Sequence, residues 1–167
     1  MLALHITSMK QFMNQLLVSD AFDIFLLEEA VITTANTFTL DGYVNREFYS
    51  PEDLNSGQIP DYEYSPWSIM KGLCFQLIKG KRTPLSFRFI FHLKPEQTQK
   101  LLEKANCSVD PSSIKALVLT IRYDGTKAVL TTGCAYHTFV MSKEAEQIWD
   151  KTLVRYLSGK NIPYEAL

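Results

Sequence analysis

Residues 85–93, LSFRFIFHL, alternate in a period of two. Because successive side chains of a strand point to opposite faces, Phe87, Phe89 and Phe91 share one apolar face. Residues 114–123 repeat this pattern. An apolar sheet face has to be covered by another layer. The sequence therefore predicts an α+β fold, in which an antiparallel sheet carries its helices on one face.

Helical spacing of apolar residues predicts the covering layer. Ser65 followed by Pro66 is typical of a helix start, with serine at the N-cap and proline in the first turn. Ser142 is predicted to cap the last helix in the same way. The predicted helices run from Met9 to about Val18, over 66–79, from Pro95 to about Ala105, and over 142–158. Strands are predicted at 2–6, 43–48, 85–93, 114–123 and 126–140, with a bulge at Gly133. Residues 25–40 are predicted to form either one long bent strand or two strands.

Two Asp-Gly pairs stand inside strand-forming runs, in TLDGYV (39–44) and RYDGTK (122–127). Asp-Gly favours tight hairpin turns, type I′ above all. With hairpins at both pairs, the order strand–helix–strand–strand occurs twice, over about 2–48 and 86–140. We therefore predict a single domain, residues 1–167, with an internal pseudo-repeat. Coincidence is the alternative, since Asp-Gly hairpins are common in antiparallel sheets.

Residues 49–64 are predicted to be a loop, and loops of this length are usually functional or disordered. Acidic residues alternate with tyrosines at its end. We interpret Asp61, Tyr62, Glu63 and Tyr64 as a partner-binding loop; the alternative is an ordinary solvated loop.

The cationic run KGKR contains Lys79, Lys81 and Arg82, and Lys71 lies two helical turns earlier. These four residues are the candidates for contacting phosphates of a nucleic acid. The alternative is that they complement the dipole at a helix C-terminus. The formal net charge is only −1. Any binding of nucleic acid would therefore depend on this local patch.

No motif for catalysis or for a cofactor is present. The three cysteines show no CxxC spacing, which fits a reducing compartment. Cys134 and His137 are three apart in a strand and are expected on opposite faces, as are the adjacent Glu28 and Glu29. The sequence therefore predicts no catalytic residue, no metal site and no cofactor.

Two resemblances add to this interpretation. The twofold strand–helix–strand–strand order resembles the topology of one domain of a sliding clamp, apart from the extra helices at 66–79 and 142–158. The runs ITTANTFTLDG (32–42), PWSIMKGLCFQLIKGKRTPLSFRFIFHL (66–93) and IRYDG (121–125) resemble an uncharacterised protein family from anaerobic Firmicutes. That second resemblance implies a bacterial, cytoplasmic protein and supplies no catalytic residue.

We expect a soluble, non-enzymatic binding or scaffold domain without a signal peptide or membrane span. Its partner would be a protein or, through the cationic run, a nucleic acid. The alternative is an enzyme whose site lies near His5 and His92, with the 49–64 loop as its lid.

Overall fold

Eight strands form one antiparallel sheet in the computed structural model, which describes residues 1–167. The order across the sheet is β3-β2-β5-β6-β7-β1-β8, and β4 pairs with β2 beside β3. The predicted α+β class and antiparallel sheet are thus confirmed. The strands are β1 (Ala3–Ile6), β2 (Phe25–Thr33), β3 (Thr37–Asp41), β4 (Ser65–Pro66), β5 (Ser86–Leu93), β6 (Ile114–Tyr123), β7 (Ala128–Tyr136) and β8 (Tyr164–Ala166).

Five α-helices accompany the sheet: α1 (Met9–Leu17), α2 (Pro51–Asn55), α3 (Trp67–Ile78), α4 (Pro95–Lys104) and α5 (Glu144–Gly159). The helices predicted from apolar spacing are all present. Two starts differ from the prediction. Ser65 and Pro66 pair with β2, so that helix begins only at Trp67. The last helix begins at Glu144, with Lys143 rather than Ser142 at its N-cap position. The structure contains no helix long and apolar enough to cross a membrane.

The core lies between the helices and one face of the sheet. Burial alternates along β5 as predicted. Phe87, Phe89 and Phe91 are buried, whereas Arg88 and Ile90 on the other face are partly exposed. The helices contribute buried side chains such as Trp67, whose indole nitrogen donates to the carbonyl of Leu16 at 2.9 Å. Stacked and tilted aromatic rings fill the centre of this layer.

The two Asp-Gly pairs have different roles. Asp124-Gly125 makes the predicted hairpin between β6 and β7, and the φ of +97° at Gly125 suits glycine at the first central turn position. The hairpin predicted at Asp41-Gly42 is wrong. The chain turns instead between Thr33 and Thr37, where β2 and β3 pair.

Gly42 is required for a close approach. A Cβ atom there would lie 1.7 Å from the carbonyl oxygen of Leu27. The Gly42 amide donates to Glu28 at 2.8 Å, and the Gly42 carbonyl accepts from Ser65 at 2.8 Å. The predicted strand 43–48 is accordingly absent: Tyr43 makes one bridge to Tyr64, and a 3₁₀ turn follows at Arg46–Phe48.

The bulges also differ from the prediction. Gly133 pairs regularly with Val118, and the register shifts instead at Lys115 in β6 and at Glu28 in β2. Residues 49–64, predicted as a loop, contain α2. Its N-terminus is closed by a capping box between Ser50 and Asp53.

The order strand–helix–strand–strand is present twice, as β1-α1-β2-β3 and β5-α4-β6-β7. The first strands of the two units have different neighbours. β5 lies between β2 and β6, whereas β1 lies between β7 and β8. The repeated order is therefore a property of the chain, and the two units are joined into the sheet differently.

Candidate functional site

A cavity of about 470 Å³ opens between α1 and the connection from α3 to β5. We call it the cationic cavity. Its lining is largely apolar and comes from α1, the end of α3, β5 and the end of β6. The apolar lining residues are Met9, Met13, Leu17, Val18, Phe75, Ile78, Pro84, Phe87 and Tyr123.

Four cationic side chains line this cavity: Lys10, Lys79, Lys81 and Arg82. No acidic residue is among its sixteen lining residues, and none of the four forms a salt bridge. Repulsion between like charges raises the free energy of such a cluster, and a bound anion would relieve it. The arrangement is suited to a ligand that carries both an apolar group and a negative charge.

Lys71, the fourth residue of the predicted nucleic-acid patch, lies elsewhere. Its ammonium nitrogen is 2.8 Å from Asp23 Oδ1 and 3.0 Å from the Ser19 carbonyl oxygen. The side chain is only 18% exposed, so its charge is used inside the fold. The structure brings three of the four predicted cations together and adds Lys10 in place of Lys71.

A second cluster surrounds His92 at the other end of β5. His92 is 7% exposed, and its Nε2 lies 3.4 Å from Glu28 Oε1. The ring of Tyr64 stands edge-on to the imidazole with 4.9 Å between centroids. Burial lowers the pKa of His92, and Lys115 lowers it further, whereas Glu28 and Glu63 raise it. The imidazole is therefore mainly neutral near neutral pH.

The bulge at Glu28 explains why this cluster was not predicted. In a regular strand Glu28 and Glu29 would point to opposite faces, which is what the sequence analysis expected. In the structure Glu28 reaches His92, and Glu29 forms a salt bridge with Arg88. Since Arg88 and His92 are four residues apart in β5, both glutamates reach the same face, and that part of the prediction is wrong.

His5 does not share a site with His92. His5 pairs across the sheet with Val129 in β7, and Val129 pairs with Arg122 in β6. By register, His5 and His92 are separated by about 13 Å along the strands and about 14 Å across them. His92 also lines none of the five main cavities. A catalytic site built from both histidines is therefore incompatible with this fold.

Residues 43–64 lie beside the cluster around His92, and we call them the acidic segment. It carries five carboxylates against the single cation Arg46. Arg46 is 3.1 Å from Asp61 Oδ1 and donates to the carbonyl oxygen of Tyr62 at 3.1 Å. Three of the four predicted partner-binding residues thus make contacts inside the chain: Asp61 with Arg46, Tyr62 with Glu96, and Tyr64 with His92. Glu63 is the one residue of the four whose side chain makes no hydrogen bond, ion pair or ring contact.

The three cysteines are free thiols. Burial raises the pKa of Cys74 to about 12, so this thiol is unreactive at neutral pH. No three histidine, cysteine, aspartate or glutamate side chains are grouped so that they could hold a metal ion.

The sequence analysis assigns no role to Lys10 and does not predict the apolar lining of the cationic cavity. Lys10 lies between Met9 and the rest of the apolar stripe of α1, about seventy positions before KGKR. A signal existed in the exposed lysine next to two methionines, but nothing local indicates that α1 and residues 79–85 meet.

Comparison with protein-family models gives one match. A model described as a family of unknown function (DUF5721) matches residues 15–165, and the chain belongs to that family. This confirms the resemblance to an uncharacterised family. No curated protein and no solved structure matches the chain. The bacterial origin and the resemblance to a clamp domain remain predictions.

Proposed function

We propose that this chain is a non-enzymatic binding protein, and that its ligand carries an apolar group and a negative charge. One observation carries the proposal. Four cations without acidic partners surround an apolar cavity of about 470 Å³. Ligand sites are commonly apolar clefts of this size with a few polar groups that fix the orientation of the ligand.

The geometry favours such an amphipathic anion over a nucleic acid. A nucleic-acid surface needs cations spaced along a backbone, commonly with aromatic platforms for bases. Here Lys79, Lys81 and Arg82 gather at one opening, and Phe87 and Tyr123 lie within the core layer behind it. Contact with phosphate through these residues stays part of the proposal, because a phosphate group is one form that the negative charge can take.

Calorimetric titration tests the proposal with four probes: octyl phosphate, octanol, inorganic phosphate and octyltrimethylammonium. We expect octyl phosphate to bind and each of the other three to bind at least about tenfold more weakly, since each lacks one half of the recognition or has the wrong charge. Equal binding of octyltrimethylammonium would show that charge plays no part and would overturn the proposal.

Substitutions test whether octyl phosphate binds at the cationic cavity. K79A/K81A/R82A is expected to weaken binding of octyl phosphate about tenfold, because each exposed charge contributes about half a kcal/mol. K100A/K104A removes two lysines that line a separate cavity between α4 and α5, and it is the matched control. A single-stranded oligonucleotide tests the alternative. If it binds more tightly than octyl phosphate, and if K79A/K81A/R82A abolishes that binding, the protein binds nucleic acid and the proposal of an amphipathic ligand is replaced.

A further inference from the structure

The acidic segment carries an aromatic side chain, Phe48, that is exposed to solvent. Phe48 is 82% exposed, and its ring meets Tyr49 edge-on at 5.3 Å between centroids. Glu47 precedes it, and Glu52 and Asp53 follow in the first turn of α2. An exposed aromatic ring among carboxylates is an apolar group with negative charge, and aromatic anchors of this kind are typical of protein interfaces.

This chemistry is complementary to the cationic cavity. The cavity offers apolar lining from α1 and α3 and four cations with no acidic neighbour. The acidic segment offers the aromatic ring of Phe48 and three carboxylates without an ion pair, since Asp61 is paired with Arg46 and Asp53 caps α2. The three are Glu47, Glu52 and Glu63. Charge complementarity of this type fixes partner choice and accelerates encounter.

The two surfaces lie at opposite ends of one strand. Tyr64 of the acidic segment contacts His92 near the carboxyl end of β5, and Phe87 lines the cavity near its amino end. An eight-residue strand spans about 26 Å. Tyr62 attaches the acidic segment to Glu96 in α4, and Arg46 ties the two limbs of the segment to each other. The segment therefore cannot turn back into the cavity of its own chain.

We propose that the acidic segment of one copy of this chain docks into the cationic cavity of a second copy, with Phe48 as the anchor. This inference rests on the proposed function, because it names the protein segment that supplies the apolar group and the negative charge. The contact joins two different surfaces, so it is head-to-tail and leaves a free surface at each end of the pair. Such contacts continue into rings or filaments.

Sedimentation equilibrium of the full chain tests this inference. In about 50 mM NaCl we expect the average mass to rise with concentration to at least about twice the 19.1 kDa of one chain. In about 500 mM NaCl the mass is expected to fall, because salt screens the exposed charges. A 19.1 kDa species at every concentration and at both salt levels would overturn the inference.

Charge exchange gives the sharper test. K79E/K81E reverses the cavity rim, and E47K/E52K reverses the acidic segment without touching the capping residues Ser50 and Asp53. Each variant alone is expected to be monomeric because like charges then face each other. An equimolar mixture restores both opposite-charge contacts and is expected to recover the association. K100E/K104E is the control and should associate as the wild type does; a mixture that stays monomeric contradicts the inference.

Phe48→Ser separates the apolar anchor from the charges. The side chain is exposed, so the circular dichroism spectrum should be unchanged while association is lost. The titration with octyl phosphate distinguishes the two proposals. A monomeric wild type that binds octyl phosphate keeps the proposed function and rejects the docking. Association without binding of octyl phosphate, and without competition by it, keeps the docking and rejects the amphipathic ligand.

Discussion

The two ends of β5 hold their charged side chains in opposite ways. At the carboxyl end, Arg46 forms an ion pair with Asp61, and Glu28 contacts the buried, mainly neutral His92, so these side chains have partners within the chain. At the amino end, the cations of the cationic cavity have no ionic partner. Charged groups that are paired inside a protein contribute to its structure, whereas unpaired groups at a cavity are free to bind an external charge.

The two ends therefore differ in how their charged side chains are used. At the carboxyl end, the acidic segment is attached to the fold by the flanking backbone bonds of Gly42 with Glu28 and Ser65. Side-chain contacts of Tyr62 with Glu96 and of Tyr64 with His92 add to this attachment. The amino end leaves an apolar surface uncovered and surrounds it with like charges. Perturbations of the carboxyl end should therefore change stability, and perturbations of the amino end should change binding.

The largest effect is expected from Gly42→Val, which places side-chain atoms where the Leu27 carbonyl already lies. A Cβ atom 1.7 Å from that oxygen forces the acidic segment away from β2. We expect the free energy of unfolding to fall by about 3 kcal/mol or more. Urea denaturation measures this loss, and hydrogen exchange should show that the amides of residues 43–64 lose protection first.

Gly72→Ala is the matched control. Gly72 lies in α3 without a positive φ, and a Cβ atom added there would meet nothing within 4 Å. Alanine favours the helix, so this substitution should raise the free energy of unfolding by about 0.5–1 kcal/mol. Equal effects of the two substitutions would show that the close approach at Gly42 is unimportant.

The two Asp-Gly pairs show how far the sequence determines the fold. Alternation and helical spacing identified the strands β5 and β6 and four of the helices, because these patterns depend on near neighbours. The dipeptide Asp-Gly marked a hairpin correctly at Asp124 and wrongly at Asp41. The Gly42 contact depends on Leu27 and Ser65, which are distant in sequence, and on the bulge at Glu28. Local turn chemistry carries no information on such contacts.

The second-largest effect on stability is expected from Lys71→Met. Lys71→Met leaves the partly buried Asp23 carboxylate and the Ser19 carbonyl without their donor. We expect a loss of about 2 kcal/mol in the free energy of unfolding. K79M/K81M is the control and should stay within about 0.5 kcal/mol of the wild type, because both side chains are exposed. Thermal or urea denaturation compares them directly, and equal losses would contradict the division between the two ends.

The candidate site shows the same limit of sequence reasoning. Lys79, Lys81 and Arg82 were found because they are contiguous, whereas Lys10 and Met13 come from a helix far away in the chain. Exposure could not be predicted either: Lys71 is used internally, although a lysine within a helix usually reaches solvent. A cavity is a property of packing, so neither its volume nor its lining follows from local patterns.

The third effect is a pH dependence at the carboxyl end. Burial lowers the pKa of His92 below its ordinary value of 6.5 in the folded state. As the pH falls through 6.5, the unfolded chain takes up the proton first, so the folded state loses stability down to the folded-state pKa of His92. We expect the free energy of unfolding to decrease with falling pH in this window. His92→Gln should remove this component, and the exposed His137→Gln should keep the wild-type slope; identical slopes in all three proteins would contradict the assignment.

The smallest effect is expected from Tyr62→Phe, which removes the hydrogen bond between the Tyr62 hydroxyl and Glu96. That bond raises the pKa of Tyr62 to about 12, with smaller contributions from burial and from the charge of Glu96. The pair is exposed, so the free energy of unfolding should fall by only about 0.5 kcal/mol. Burial raises the pKa of Tyr156 to about 12 as well, so the absorbance step near pH 12 contains both tyrosines. Spectrophotometric titration should show that this step shrinks by one tyrosine in Tyr62→Phe, and that the same share moves to lower pH in Glu96→Gln. The contact of Tyr64 with His92 and the backbone bonds of Gly42 to Glu28 and Ser65 remain in Tyr62→Phe, so hydrogen exchange of the acidic segment should accelerate only slightly. A complete loss of protection would mean that the bond of Tyr62 to Glu96 is the main attachment of the segment.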